Sequence, residues 1–449
     1  MTFFKSKSAA LITVLCVISL PGMGLAQDGL IFEPTIQTDA VVAAAPGHQR
    51  CLPFMAALKI AARNHPNVAI AQSELISAQA DLTEAKSLRK PQVSAFTRSG
   101  FGDEALVNTT IENQIGLRAS QRIYDFGDSR LAREAALQGI LAQESLILTA
   151  QSRAMMEAGL AYIDWLDASE RLRATVERAD YFRRELYGLE LALDAGGATL
   201  SEVAEISAES ADAEADRYEL EFEQQQAITR LQLATQSQRH KPCDDAGLSV
   251  AKTVDILANG GTSNSILSNA LNANPDLKAL KSLAKQLDLE AERQSRSRLP
   301  VLEVVGITSL TTDRRFEMLE IRERIGFDAT VPLLTGSSLS AKTNKARAQA
   351  SRAGSQADQE RRTLEEQVLT THKRALLLNA QLGRRQAVIE FRKMEFDAAQ
   401  TGYESNIRTL PELVDIRLQL EDAQLSEIRT RYDYYRQALT LKSLSGALN

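Results

Sequence analysis

From about Ser129 to Ala192 the sequence runs without a proline, and its apolar residues recur at alternating spacings of three and four. Met155, Ala158, Tyr162, Trp165, Leu172, Val176, Ala179 and Leu186 make the stripe, Leu141 and Leu148 extend it backwards, and only Ser169 and Arg183 interrupt it. Sustained over several heptads, this is a coiled-coil-like seam, and it reads as helix packing and not as a ligand pocket. At 1.5 Å per residue the helix would be about 100 Å long, far beyond the usual 10–14 residues. Ala195-Gly196-Gly197 then breaks it, and a second long helix returns through about residue 237. Composition agrees, with only 11 Pro and 23 Gly in 449 residues, against roughly 12% for the pair in average proteins. Three average globular domains are therefore the wrong expectation, and 44% apolar residues exclude a disordered chain.

The hairpin occurs twice. Arg63-Asn64-His65-Pro66 recurs as Asn272-Ala273-Asn274-Pro275, and Pro91 as Pro300, both at an offset of 209. Ile115-Gly116-Leu117 recurs as Ile325-Gly326-Phe327, and Thr199-Leu200-Ser201-Glu202 as Thr409-Leu410-Pro411-Glu412, at 210. Four correspondences in order with one slip indicate an internal duplication. Repeat 1 spans 51–240, a polar linker 241–261, and repeat 2 262–449.

Each repeat reads in the same order. Helical periodicity over 53–89 ends before Pro91, and a strand pair follows at about 92–125, with its counterpart at about 301–333. Over 111–123, Ile111, Ile115, Leu117, Ala119 and Ile123 alternate with Glu112, Gln114, Arg118, Ser120 and Arg122. In repeat 2, Leu319, Ile321, Ile325, Phe327, Ala329 and Val331 alternate with Glu320, Arg322, Arg324, Asp328 and Thr330. A lipid-facing barrel strand has this pattern, and so does an antiparallel sheet with one wet face. The stretch 301–311 is poorly polarised, and Glu323 falls on the apolar side. The second hairpin occupies 338–403, a turn at 404–408, and a helix to about 445. Thr199-x-x-Glu202 and Thr409-x-x-Glu412 are capping boxes, so both return helices start at equivalent points.

At the N-terminus, Lys5 and Lys7 precede an apolar run from Ala9 to Leu20, and Gly24-Leu25-Ala26 supplies a small-x-small cleavage site. Residues 1–26 are read as a secretory signal peptide and 27–50 as an N-terminal extension. Cys16 follows Leu15, which is too large for lipoprotein processing. After residue 30 no stretch approaches the ~18 apolar residues of a membrane helix. If the exported chain spans a membrane, it does so with strands.

Chemistry is sparse. The four histidines (48, 65, 240 and 372) lack metal-ligand spacing, and neither a phosphate loop nor a nucleophile elbow is present. No catalysis, no metal and no cofactor are expected, and a net charge of −6 argues against nucleic acid. Cys51 and Cys243 stand at the starts of the two repeats, where an exported chain can carry a disulfide or two free thiols. The second turn gathers Tyr403, Arg408, Glu412 and Asp415. Glu412 and Asp415, three apart, share a helix face. Around an axis they form an acidic ring that favours cations, whereas in a lone chain one caps a helix and the other is solvated.

Two repeats of helix, strand pair and very long hairpin behind a signal peptide resemble the TolC family of outer-membrane channels. Asn64-His65-Pro66 and Asn274-Pro275 look like the family's Asn-Pro, and Gln121-Arg122-Ile123-Tyr124-Asp125-Phe126-Gly127 its segment leaving the second strand; Val331-Pro332-Leu333-Leu334-Thr335-Gly336 matches more loosely. The resemblance covers about 50–449. It implies a mainly α fold with a small β part. The hairpins form a periplasmic α-barrel, and four strands per chain join a trimeric twelve-stranded membrane β-barrel. It also implies a homotrimer in the outer membrane that works with a periplasmic adaptor and an inner-membrane transporter, in small-molecule efflux or type I protein secretion. Residue by residue, Glu412 and Asp415 match the family's acidic constriction. Arg408 and Tyr403 match the residues that tie neighbouring helices shut, with Ser201 and Glu202 as partners. The adaptor-contact turns depart from the family pattern: Ala195-Gly196-Gly197 in repeat 1 and Ser405-Asn406-Ile407 in repeat 2. Asn406 can adopt the left-handed conformation that a glycine would supply. The competing expectation is a soluble periplasmic coiled-coil scaffold or adaptor whose strands form an ordinary sheet.

Overall fold

The computed structural model describes residues 51–104, 108–237, 241–243, 250, 262–312, 319–405 and 407–446. The expected signal peptide and N-terminal extension, most of the linker and Asn406 lie outside the described residues.

Repeat 1 opens with α1 (Phe54–Asn64) and α2 (Pro66–Ser87), where periodicity alone reads one helix over 53–89. Pro66 explains the break. The residue before a proline is driven out of the helical region, and His65 sits at φ −65°, ψ 133°. Its Nδ1 accepts from the Asn67 amide at 3.2 Å, so the break also caps α2. Asn274 does the same in repeat 2, between α5 (Ser263–Ala273) and α6 (Pro275–Arg296), accepting from the Leu277 amide at 3.0 Å.

The strands β1 (Gln92–Glu104), β2 (Asn108–Tyr124), β3 (Val301–Thr312) and β4 (Leu319–Thr330) form one antiparallel sheet in sequence order. Pairing rows run Thr97, Ile115, Leu310, Ile321 and Ala95, Leu117, Thr308, Glu323. Because side chains alternate along each strand, one face carries Val93, Ile115, Leu117, Ile321, Ile325 and Phe327, all exposed. The other carries Arg118 near Asp328 (3.9 Å) and Arg122 near Glu303 (3.8 Å). Glu323 does stand in an apolar row. Among the described residues β1 and β4 are both open edges.

From the sheet descend α3 (Asp128–Asp194) and α7 (Ser338–Glu404), each 67 residues long. They return as α4 (Leu200–Thr235) and α8 (Leu410–Leu444). Beside the sheet the packing row is α2–α3–α6–α7; toward the turns it is α4–α3–α8–α7. The expected stripe on α3 holds at Met155, Ala158, Tyr162, Trp165 and Ala179, which are buried. It fails at Leu141 and Leu148, which are exposed, while Ala142 and Thr149 are buried instead. There α3 is flanked by α2 and α6, and small residues admit two neighbours more closely than leucines do.

The largest core cluster joins α1, α3, α4 and α8 through Phe54, Leu58, Tyr162, Trp165, Leu231 and Leu439. Gly159 makes this approach feasible, since a Cβ there would lie 2.6 Å from Leu439 Cδ2 and 3.1 Å from Leu58 Cδ2. Cys51 and Cys243 form a disulfide with a Cα–Cα distance of 4.7 Å. Beside it the Leu52 amide donates to Lys241 O (2.7 Å) and the Cys243 amide to Leu52 O (3.3 Å). The buried Tyr162 hydroxyl donates to Leu52 O at 2.8 Å and accepts from the Cys243 amide at 3.0 Å.

Candidate gate at the hairpin turns

Each hairpin turns by the same backbone device. Gly196 adopts φ 77°, and the Gly197 amide reaches back to Ala192 O at 2.7 Å. In repeat 2 the Ile407 amide reaches Gly402 O at 2.8 Å. Such bonds satisfy carbonyls that a helix end leaves open. Asn406, equivalent to Gly196 by the duplication, lies outside the described residues. Both capping boxes are formed. The Thr199 amide donates to Glu202 Oε2 at 2.8 Å, and the Thr409 amide to Glu412 Oε2 at 3.2 Å. The Thr199 amide and hydroxyl hold the Glu202 carboxyl below the usual glutamate range.

Leu410, Leu413, Val414 and Ile416 bury one side of α8 against the other helices, which leaves Glu412 and Asp415 exposed on the opposite side. Asp415 Oδ2 accepts from Gln419 Nε2 at 2.7 Å. Tyr403 wedges between two apolar clusters that include Phe182, Ile206, Leu410 and Ala399. Burial, then the nearby Glu185 and Glu202 charges, raise its phenol above the ordinary value. Arg408 lays its stem over Gly402, where a Cβ would stand 3.2 Å from Arg408 Cγ. Among the described residues, neither Arg408 nor Ser201 makes a side-chain hydrogen bond or ion pair within the chain. Among the described residues one copy thus brings Tyr403 near Glu202, and neither the two carboxylates on one face of α8 nor the Arg408 guanidinium has an ion-pair partner.

Sequence reading missed the charged tie above these turns. Arg417 donates from Nε to Glu421 Oε1 at 2.8 Å. Its guanidinium lies over the rings of Tyr181 (4.9 Å) and Phe396 (5.1 Å), bridging α3, α7 and α8. Arg178 of α3 adds a contact to Glu421 at 3.6 Å and donates to Asp216 of α4 at 3.1 Å. Burial pushes the Glu421 carboxyl up, opposed by Arg417 and Arg178; burial likewise drives the Tyr181 phenol to about 12. Farther from the turns, Arg436 donates to Asp164 (2.9 Å) and Asp167 (2.8 Å), and Arg431 to Glu170 (2.7 Å). The only advance signal was the spacing of four between Arg417 and Glu421, which exposed helices also show. Among the described residues no group of His, Cys, Asp and Glu is arranged to hold a metal ion, and no helix is long and apolar enough to cross a membrane.

A family model described as outer membrane efflux protein matches residues 266–447. The fold is similar to the Campylobacter jejuni CmeC outer membrane channel (TM-score 0.74, 16% identity, 88% of this chain and 85% of that one). It is similar to the outer membrane protein VceC from Vibrio cholerae (0.73, 16%, 88% and 96%). It also resembles the Neisseria gonorrhoeae MtrE outer membrane channel, in a structure of its open state (0.72, 15%, 89% and 90%). No curated protein matches it in sequence.

Proposed function

We propose that the chain is a TolC-like member of the outer membrane efflux protein family, on the sequence of its second repeat and on a fold shared with solved outer-membrane channels, and that three copies form a passive export duct opened at its periplasmic end by partner proteins. Its place is the outer membrane, with a large periplasmic portion. The observation that carries the reading is a single sheet with one exposed apolar face and two open edges, continuous with two hairpins of 67-residue helices. Open edges are not tolerated in lipid. Closing them with neighbouring copies makes a barrel, and helices of about 100 Å then extend it as a tube across the periplasm.

At the far end of that tube, Glu412 and Asp415 of each copy line an acidic constriction. Arg408 and Tyr403 engage Ser201 and Glu202 of neighbouring helices and hold the end narrow. An adaptor that contacts the turns at Ala195, Gly196, Gly197, Ser405, Asn406 and Ile407 releases those ties, and an inner-membrane transporter supplies the energy. Small toxic solutes and unfolded secreted proteins are both cargo classes that such a passive duct conducts.

Purified protein in planar bilayers tests the reading. A stable single-channel conductance, blocked from the periplasmic side by multivalent cations, is expected. Recovery of the mature chain as a soluble periplasmic protein without conductance defeats the duct and favours a coiled-coil scaffold.

A further inference from the structure

Helix α4 packs on α3 through Ile206, Ala213, Leu220, Ala227 and Leu231. Its opposite side bears a second stripe at three-and-four spacing: Ala204, Ala208, Ala211, Ala215, Tyr218 and Phe222. All six are exposed, Tyr218 at 62% and Phe222 at 67%. Beside them, at heptad intervals, stand Glu205, Asp212 and Glu219, which make no ion pair among the described residues. Their neighbours differ: Glu209 and Asp216 reach Arg178, and Glu223 reaches Arg171.

Helix α7 repeats the situation at the other end of the row. It packs on α8 through Ala375, Leu378 and Ala399. On its far side Leu377, Ala380, Ala387, Phe391, Met394 and Ala398 are exposed at the same spacing. Arg384 falls within this stripe and makes no ion pair among the described residues. A seam spacing with no partner among the described residues of its own chain is half of a coiled coil.

The edges of a chain that associates head to tail must match each other, and rotation closes such contacts into a ring. Here the first-repeat edge is acidic and the second-repeat edge basic. Rotation about an axis along the helices preserves height. Since α4 starts at residue 200 and α7 ends at 404, height can be counted from the turns. Tyr218 is then level with residue 386, Phe222 with 382, Phe391 with 213 and Met394 with 210. Each bulky side chain meets small ones: Tyr218 meets Ala387, Phe222 meets Gly383 and Ala380, Phe391 the gap between Ala211 and Ala215, and Met394 Ala211. Arg384 comes level with Glu219.

We infer that α4 of one copy and α7 of the next form the seam between chains, in this register, with Arg384–Glu219 as its ion pair. The inference rests on the trimeric reading above and deepens it by assigning which surfaces meet and at what height.

Cysteine pairs test it in the full chain, with the native disulfide left in place. Tyr218→Cys with Ala387→Cys, and separately Ala211→Cys with Met394→Cys, should give covalent dimers and trimers on oxidation. Tyr218→Cys with Ala398→Cys, offset by about 18 Å in height, should give none. Mass by light scattering, measured on the same samples, separates the outcomes. A trimer that neither matched pair links, or that the offset pair links equally, overturns the seam and leaves the trimer standing. A monomeric mass overturns the trimer itself. Glu219→Lys should lower the matched-pair yield at low salt, and adding Arg384→Glu should restore it; failure to restore removes the ion pair from the seam.

Discussion

Removing the disulfide should loosen the core around Tyr162 by an amount set mainly by loop length. The bridge joins residues 192 apart. In the chain-entropy account, a cross-link restricts the unfolded chain by an entropy growing as 1.5R ln n, which for this loop is about 5 kcal/mol at 25 °C. Residual order in the unfolded chain reduces the figure, so a loss of about 2–5 kcal/mol is expected. Beside the bridge the Tyr162 hydroxyl donates to Leu52 O and accepts from the Cys243 amide. Trp165, the single tryptophan, packs 6.1 Å from the Tyr162 ring in the same cluster. Its fluorescence during urea unfolding therefore reports on this region. Reduced wild type and the Cys51→Ser, Cys243→Ser double variant should share a midpoint, below that of the oxidised protein. Coincidence of all three midpoints would show that the 192-residue loop contributes nothing to stability and refute the reasoning.

Glu412→Ala with Asp415→Ala should abolish block of single-channel conductance by multivalent cations, and unchanged block removes the acidic constriction. Arg408→Ser should raise conductance; an unaltered value argues against a closing tie. Gly159→Val should destabilise the core by about 1–3 kcal/mol, because the added Cβ would lie 2.6 Å from Leu439 Cδ2; a wild-type thermal midpoint would contradict that close approach. Since burial raises the Glu421 pKa above 4.5, the folded state binds its proton more tightly than the unfolded state. That contribution is present below pH 4.5 and lost as pH rises through the raised value. Glu421→Gln should flatten this part of the stability profile, and an unchanged slope there refutes the assignment.

Local chemistry was legible wherever a pattern is short-range. Both capping boxes formed because Thr199 with Glu202, and Thr409 with Glu412, need only three intervening steps of helix. The alternation through Ile115 and Leu117 became β2 with those residues on one exposed face, and it breaks at Ile123, where the register shifts and Tyr124 pairs with Leu302. The same reading went astray where a neighbour decided the outcome. Leu141 and Leu148 continued the stripe on paper, yet α2 and α6 close on α3 there and favour Ala142 and Thr149. Around the turns, the positions of Glu412 and Asp415 on one face of α8 followed from spacing. The Arg417 tie did not, because Tyr181 and Phe396 come from helices separated from it by hundreds or tens of residues.

By itself, then, the sequence determined the elements: two very long hairpins, their turns, four strands and an alternation that makes one sheet face apolar. Periodicity and breakers act over a few residues, so they are written locally. Tertiary structure decided which helix stands beside which. It also decided that Cys51 meets Cys243 under Tyr162, and that α4 and α7 keep exposed apolar stripes that no described helix of their own chain covers. Those outcomes depend on packing between segments distant in the chain, where shape and charge must fit at once, and no stretch of residues encodes such a fit alone.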